Sequence, residues 1–170
     1  MTAPIDPLEA PHLRRFKTLL EELKGESARG EVLVSATVLD EQLAECVSAR
    51  LVEHPDVTKL TKGFNAPFGT FASRIVGALA LGCVSEREYR DLQTIRGIRN
   101  EFAHQLAVSF DDQSIADRCA LLNFAARDYG EISVSAHGRF STAVAALVLN
   151  LANRPTYVGR ARLAHEAWPY

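Results

Sequence analysis

The feature that most constrains the fold is a proline-free run, residues 85–106, whose apolar side chains recur at intervals of three and four. Such spacing gathers side chains on one side of an α-helix. Ser85, followed three residues later by Glu88, has the pattern of a capping box that begins a helix. The run therefore predicts a long amphipathic helix, whose apolar face consists of Leu92, Ile95, Ile98, Phe102 and Leu106.

The same spacing recurs along the chain, so we expect an all-α bundle of about six helices in a single domain, residues 1–170. The other predicted helices cover residues 11–24, 30–51 and 70–82, a short segment after Asp111-Asp112 that fades near Tyr129-Gly130, and a last segment that stops at Arg154-Pro155. Residues 132–135 alternate like a strand, but a single strand has little to pair with, so we expect a loop.

Two connecting segments carry predictions of their own. Residues 56–70 form the longest irregular connection, and loops of that length are often functional. We expect Phe64 and Phe68 to anchor this connection to the core. The tail, residues 155–170, has mixed composition and either docks on the body or serves as a contact arm.

Two opposite charges fall inside the apolar arcs of two predicted helices. Rotation by about 100° per residue places Arg99 between Leu92 and Leu106, and places Asp40 inside the arc of the helix over 30–51. A buried guanidinium keeps its charge and must be paired. We therefore predict an ion pair between Asp40 and Arg99 that joins two antiparallel central helices. It could specify helix register, belong to a ligand-binding or catalytic site, or do both.

Composition limits the classes of function that are open to the chain. With 170 residues, 47% of them hydrophobic, it can bury one sizeable core. A formal net charge of −2 does not fit a protein whose whole surface binds nucleic acid, although a local basic patch stays open. Residues 1–11 lack the basic start and apolar run of a signal peptide. No apolar stretch is long enough to span a bilayer, so we expect a cytoplasmic protein.

Cofactor and metal chemistry have no visible motif in the sequence. Cys46, Cys83 and Cys119 lie far apart without metal-ligand spacing, and we interpret them as reduced core residues. Glycine-rich phosphate loops and paired-histidine metal sites are also missing from the sequence. We therefore expect no cofactor and no metal.

Several sequence blocks occur in the order found in the mannitol operon repressor family, which residues 27–106 resemble. The blocks are GEVLVSA at 30–36, LDE at 39–41, FGTFASRI at 68–75, ALG at 80–82, YRDL at 89–92 and IRGIRNEFAH at 95–104. The resemblance implies an all-helical transcriptional regulator of sugar-alcohol uptake genes that lacks a recognisable DNA-reading helix-turn-helix. Regulation would then proceed through protein partners, with components of the sugar phosphotransferase system as candidates.

The motif Arg99-Asn100-Glu101-Phe102-Ala103-His104 also resembles the R-N-x-x-x-H motif of ribonucleases in the HEPN helical superfamily. In those enzymes the histidine transfers a proton and the arginine stabilises charge on the phosphate, without metal. The resemblance implies that Arg99, Asn100 and His104 would be catalytic if the chain were such an enzyme. Active members commonly work as dimers, so a homodimer is an expectation.

Two functional hypotheses follow from these residues. The first is a non-enzymatic cytoplasmic regulator like the mannitol repressor. It would act through a polar cluster of Asp40, Arg74, Arg96, Arg99, Asn100 and His104. The second is a metal-independent endoribonuclease that uses Arg99 and His104.

Overall fold

The helical prediction is confirmed by the computed structural model, which describes residues 13–169. Within this range there are seven α-helices and one 3₁₀ helix, and none of these residues belongs to a β-strand. The α-helices are α1 (Arg14–Glu22), α2 (Ala28–Arg50), α3 (Phe71–Ala80), α4 (Glu86–His104), α5 (Gln113–Ala120), α6 (Ala136–Ala152) and α7 (Arg154–Gly159). The 3₁₀ helix is Pro55–Leu60.

Helices α2 and α4 form the antiparallel central pair that the sequence predicts. At one end Arg29, in the first turn of α2, donates hydrogen bonds to the carbonyl of Phe102 in the last turn of α4. At the other end the Cys83 thiol, just before α4, donates to the carbonyl of Cys46 in α2 over 3.6 Å. Helix α2 also packs against α3, α6 and α7, so it occupies the centre of the bundle.

Side-chain caps begin the helices that build the site. The predicted capping box of α4 is present, because Ser85 accepts from the Glu88 amide and Glu88 accepts from the Ser85 amide. Thr70 and Ser73 form a second capping box at α3. Each such cap satisfies backbone N–H groups that a helix end leaves without partners. The start of both helices is thus encoded locally.

The hydrophobic core follows the predicted periodicity closely. The buried face of α6, the last long helix, consists of apolar residues at helical spacing: Phe140, Ala143, Val144, Leu147, Val148 and Leu151. The three cysteines are free thiols and are buried, as predicted. Burial raises the pKa of Cys46 to about 12 and that of Cys119 to about 11, so these thiols stay protonated at neutral pH.

A well-buried ion pair joins α4 to α7. Arg154 donates to both carboxylate oxygens of Glu88, at 2.7 and 3.1 Å, and also to the carbonyl of Cys83 at 2.8 Å. The Glu88 side chain is only 4% exposed. Burial by itself would raise the pKa of Glu88, but the hydrogen bonds from Arg154 and Ser85 outweigh it and hold that pKa below its usual value.

Several helix boundaries differ from the predicted ones. Helix α4 ends at His104, and Leu106, which was expected on its apolar face, is fully exposed. Helix α5 ends at Ala120, well before the predicted end near residues 129–130. Pro155 stops α6 but also opens α7, because proline fits the first turn of a helix. Helix α7 was not predicted from the sequence for that reason.

The segment 56–70 is more ordered than predicted, and only one of its two phenylalanines anchors it. His54 caps the 3₁₀ helix by accepting from the Asp56 amide at 3.1 Å. Phe68 packs so closely on Gly77 that a Cβ there would lie 2.7 Å from its ring. The prediction for Phe64 was wrong, since its side chain is 98% exposed.

The two ends of the described range frame the bundle. The predicted first helix includes residues 11 and 12, which lie outside the described residues; its described part begins at Arg14. In the tail, the Leu163 amide donates to the carbonyl of Arg50 at 2.9 Å and Arg162 pairs with Glu53 at 3.0 Å. These contacts dock residues 162–163 on the end of α2.

Among residues 13–169, none of the helices is both long and apolar enough to cross a bilayer.

Candidate binding cleft

A cleft of about 360 Å³ opens where α2, the start of α3 and the second half of α4 meet. It contains four of the six residues of the predicted polar cluster. The lining side chains are Asp40 from α2, Thr70, Phe71 and Ala72 from the start of α3, and Arg96, Arg99 and Asn100 from α4. A fifth member of the cluster, Arg74, is bonded to Asp40. We refer to this space as the polar cleft.

The predicted ion pair between Asp40 and Arg99 is wrong, because Asp40 pairs with Arg74. The distance from Arg74 Nη1 to Asp40 Oδ2 is 2.7 Å, and both side chains are largely buried. Arg74 also donates to the carbonyl of Phe68 at 2.8 Å and to that of Thr61 at 3.4 Å. One guanidinium therefore holds α2, α3 and the 61–68 segment together.

The early end of α4 removes one of the residues that were expected to cover Arg99. The prediction placed Arg99 between Leu92 and Leu106, and it assumed that the helix continues to Leu106. The helix ends at His104 and Leu106 is exposed, so Leu106 does not cover Arg99. Arg99 is half-buried and lines the cleft.

Both arginines of α4 that line the cleft lack a carboxylate partner within the described part of the chain. Arg99 donates to the side-chain oxygen of Asn100 at 3.2 Å, and Arg96 donates to that of Gln93 at 3.1 Å. These acceptors are neutral and belong to the same helix. Three arginines, including Arg74, face the single carboxylate of Asp40. The cleft and its bonded neighbours thus carry an excess of two positive charges.

The amino end of α3 borders the same space. Thr70 caps this ten-residue helix and accepts from the Ser73 amide at 3.2 Å. Phe71 and Ala72, the first two helical residues, line the cleft, and the N–H groups of a first turn have no intrahelical acceptor. The positive end of the helix dipole lies at this end of α3. The local field therefore has the same sign as the arginines.

His104 is placed differently from the other residues of the motif. It is the last residue of α4, its side chain is exposed, and it is not one of the residues that line the polar cleft. In the helix it lies five residues from Arg99, which corresponds to about 140° of rotation. The structure therefore does not bring Arg99 and His104 together in this cleft.

Arg29 contributes to the structure of the site, although it was not predicted from the sequence. Its guanidinium donates to three carbonyls at the end of α4, those of Phe102, Gln105 and Leu106, the last two at 2.6 and 3.0 Å. A cation at this position satisfies carbonyls that the helix end leaves without partners. Its sequence signal was weak, because Arg29 lies in a first turn where acidic residues are favoured.

Asp91 was also missed, and it has a purely structural position. It is buried in α4 and accepts from the amides of Asn123 and Phe124 at 2.8 and 2.9 Å. It therefore fixes the turn that follows α5.

As for metal sites, residues 13–169 contain no group of three or more His, Cys, Asp or Glu side chains that could hold an ion.

Comparison with known proteins supports the architecture. No protein-family model and no curated protein matches the sequence. The structure is similar to a chain in the X-ray structure of the MtlR-HPr complex from Escherichia coli, with a TM-score of 0.59 and 20% sequence identity. The match covers 85% of this chain and 98% of the other. At this level of identity the likeness establishes a shared fold, the all-helical fold of a chain in that complex.

Proposed function

We propose that this protein is a non-enzymatic regulator of the mannitol-repressor type that acts in the cytoplasm by binding a protein partner. The observation that carries the proposal is the fold match, which extends over nearly the whole length of a chain from a complex with HPr. The ordered sequence blocks over residues 27–106 point the same way. HPr, or a protein like it, is accordingly the partner that we propose.

The polar cleft supports a binding role. Arg96 and Arg99 are half-buried, carry full charges and face no carboxylate in the described residues. A guanidinium in this situation gains more from an anionic partner than one that already has an ion pair. We propose that the partner contacts the mouth of the cleft and contributes a carboxylate there.

The position of His104 favours this role over RNA cleavage. General acid–base catalysis requires the proton-transferring group to reach the reacting oxygen while the charge-stabilising group contacts the phosphate. His104 is exposed at the end of α4 and outside the cleft that Arg99 lines. The motif residues are thus divided between two places on the helix surface.

Isothermal titration calorimetry with purified HPr tests the proposal. HPr from Escherichia coli and HPr from the protein's own source are each titrated into the full chain. We expect a stoichiometric complex with at least the latter, weakened about tenfold or more by Arg96→Glu, because a buried like-charge contact costs well over 1.4 kcal/mol. Arg90→Glu, an exposed change on the same helix, is the control. Absence of a complex with both proteins would overturn the proposal.

A further inference from the structure

The polar cleft has the properties of a small-molecule binding site, in addition to the partner contact proposed at its mouth. Its volume of about 360 Å³ falls within the range of small-molecule pockets, which begins at roughly 300 Å³. A partner's single side chain would fill only part of this space. The cleft therefore has room for a ligand of its own.

The donors that line the cleft all favour an anion. Arg96 and Arg99 present guanidinium groups whose flat, forked donors match the oxygens of phosphate and carboxylate. The Asn100 side-chain oxygen is occupied by Arg99, which leaves its amide group to donate. Phe71 and Ala72, in the first turn of α3, line the same cleft. Two guanidiniums and a side-chain amide of α4 therefore share the space with the positive end of the α3 dipole.

The remaining wall limits what else the ligand can contain. The Phe71 ring is partly buried and packs on the hydrophobic core, so it offers an apolar surface beside the donors. Asp40 also lines the cleft: its Oδ2 is paired with Arg74, and its buried Oδ1 has no hydrogen-bond partner among the described residues. A bare inorganic ion would leave the apolar surface uncovered, whereas an organic body would cover it. The chemistry therefore points to a metabolite with an anionic head.

We propose that the polar cleft binds a small organic anion, a phosphate ester or a polycarboxylate, whose charged group is held by Arg96 and Arg99. The anionic group lies between these guanidiniums and the amino end of α3, and the organic body lies against Phe71. This proposal goes beyond partner binding and does not require it, because the ligand is measured with the protein alone.

Calorimetric titration of the full chain tests the site with four probes: glucose 6-phosphate, citrate, inorganic phosphate and glucose. Glucose 6-phosphate represents the phosphate esters and citrate the polycarboxylates, so the tighter binder identifies the source of the anionic group. We expect one of these two to bind at one site per chain. Inorganic phosphate should bind more weakly than that probe, and glucose should not bind detectably.

Three variants locate the site. Arg99→Gln should weaken binding about tenfold or more, the loss of one charge-assisted contact. Ala72→Asp should abolish it, because a carboxylate would then stand in the cleft, while an acid in a first helical turn is compatible with folding. Arg90→Gln changes an exposed arginine that pairs with Glu86 and should leave binding unchanged.

Two outcomes would overturn the inference. The first is that neither glucose 6-phosphate nor citrate binds at millimolar concentration to protein whose circular dichroism shows it folded. The second is that Arg90→Gln weakens binding as much as Arg99→Gln, which would indicate general attraction to a basic surface. HPr binding is measured independently, so failure of this inference and failure of the proposed function give different results.

Discussion

Asp40 of α2, which lines the polar cleft, forms an ion pair with Arg74 of α3 at 2.7 Å. The pair leaves Arg99, on the third helix of the cleft, with only a neutral acceptor in the described residues. Arg74 thus stabilises the packing of the helices, and Arg99 is left to bind a ligand or partner. These two roles depend on which guanidinium reaches the carboxylate of Asp40.

The buried Glu88–Arg154 pair makes stability sensitive to acid. The pKa of Glu88 is held below its usual value in the folded state, so the stabilisation is present above the unfolded pKa and is lost as pH falls through the folded pKa. We expect the free energy of unfolding in urea to fall more steeply below about pH 4.5 in the native protein than in Glu88→Gln.

At neutral pH the same variant should be less stable by about 3 kcal/mol, because Arg154 is left without its carboxylate. Glu86→Gln is the matched control, since this exposed neighbour pairs with Arg90 on the surface. Its acid dependence should follow that of the native protein. Equal acid dependence in the native protein and Glu88→Gln would show that the pair does not titrate as described.

The three buried thiols should be unreactive in the folded protein. Burial raises the pKa of Cys46 to about 12 and of Cys119 to about 11, and it also raises that of Cys83. A thiol-specific reagent such as Ellman's reagent, at pH 8, should react slowly with the native chain. It should titrate all three cysteines at once in concentrated guanidinium chloride. A rapid reaction of one equivalent with the native protein would contradict the burial.

Arg29 should stabilise the end of the motif helix. Arg29→Ala removes the donors to the carbonyls of Phe102, Gln105 and Leu106. We expect faster hydrogen exchange of the amides in residues 101–106 and a loss of about 1–2 kcal/mol in unfolding free energy. Arg87→Ala, an exposed change in the first turn of α4, is the control. Unchanged exchange at residues 101–106 would show that the cap is not formed in solution.

RNA cleavage separates the two functional hypotheses. Incubation with single-stranded RNA in the presence of a chelator should give no cleavage above that of buffer, because His104 lies outside the cleft that Arg99 lines. His104→Ala is run in parallel. Metal-independent cleavage by the native protein that disappears in this variant would establish the ribonuclease hypothesis and contradict the regulator hypothesis.

The sequence predicted most of the helices and four of the residues that line the cleft, but not the partner of Asp40. Capping at Ser85 and the periodicity of α6 are local properties, so they could be identified from neighbouring residues alone. The choice between Arg74 and Arg99 as the partner of Asp40 depends on how closely α3 and α4 approach α2. The distances between these helices are a tertiary property, so they cannot be derived from the rotation of residues about a single helix axis.

Helix ends were the second source of error. Helix α4 was expected to include Leu106, but it ends at His104. Arg29 of α2 caps that end by donating to the carbonyl of Phe102. Proline at position 155 was interpreted as a stop, although its fixed φ angle also suits the start of α7. The end of α4 depends on a contact from outside its segment, whereas the start of α7 depends on which of two local roles Pro155 takes.

A pair of double-mutant cycles tests the division of roles between the arginines most directly. The unfolding free energies of Asp40→Ala, Arg74→Ala, Arg99→Ala and the two double variants with Asp40→Ala are measured by urea denaturation. We predict a coupling of about 1–3 kcal/mol between Asp40 and Arg74, and of less than about 0.5 kcal/mol between Asp40 and Arg99. A larger coupling for Asp40 and Arg99 than for Asp40 and Arg74 would contradict the account.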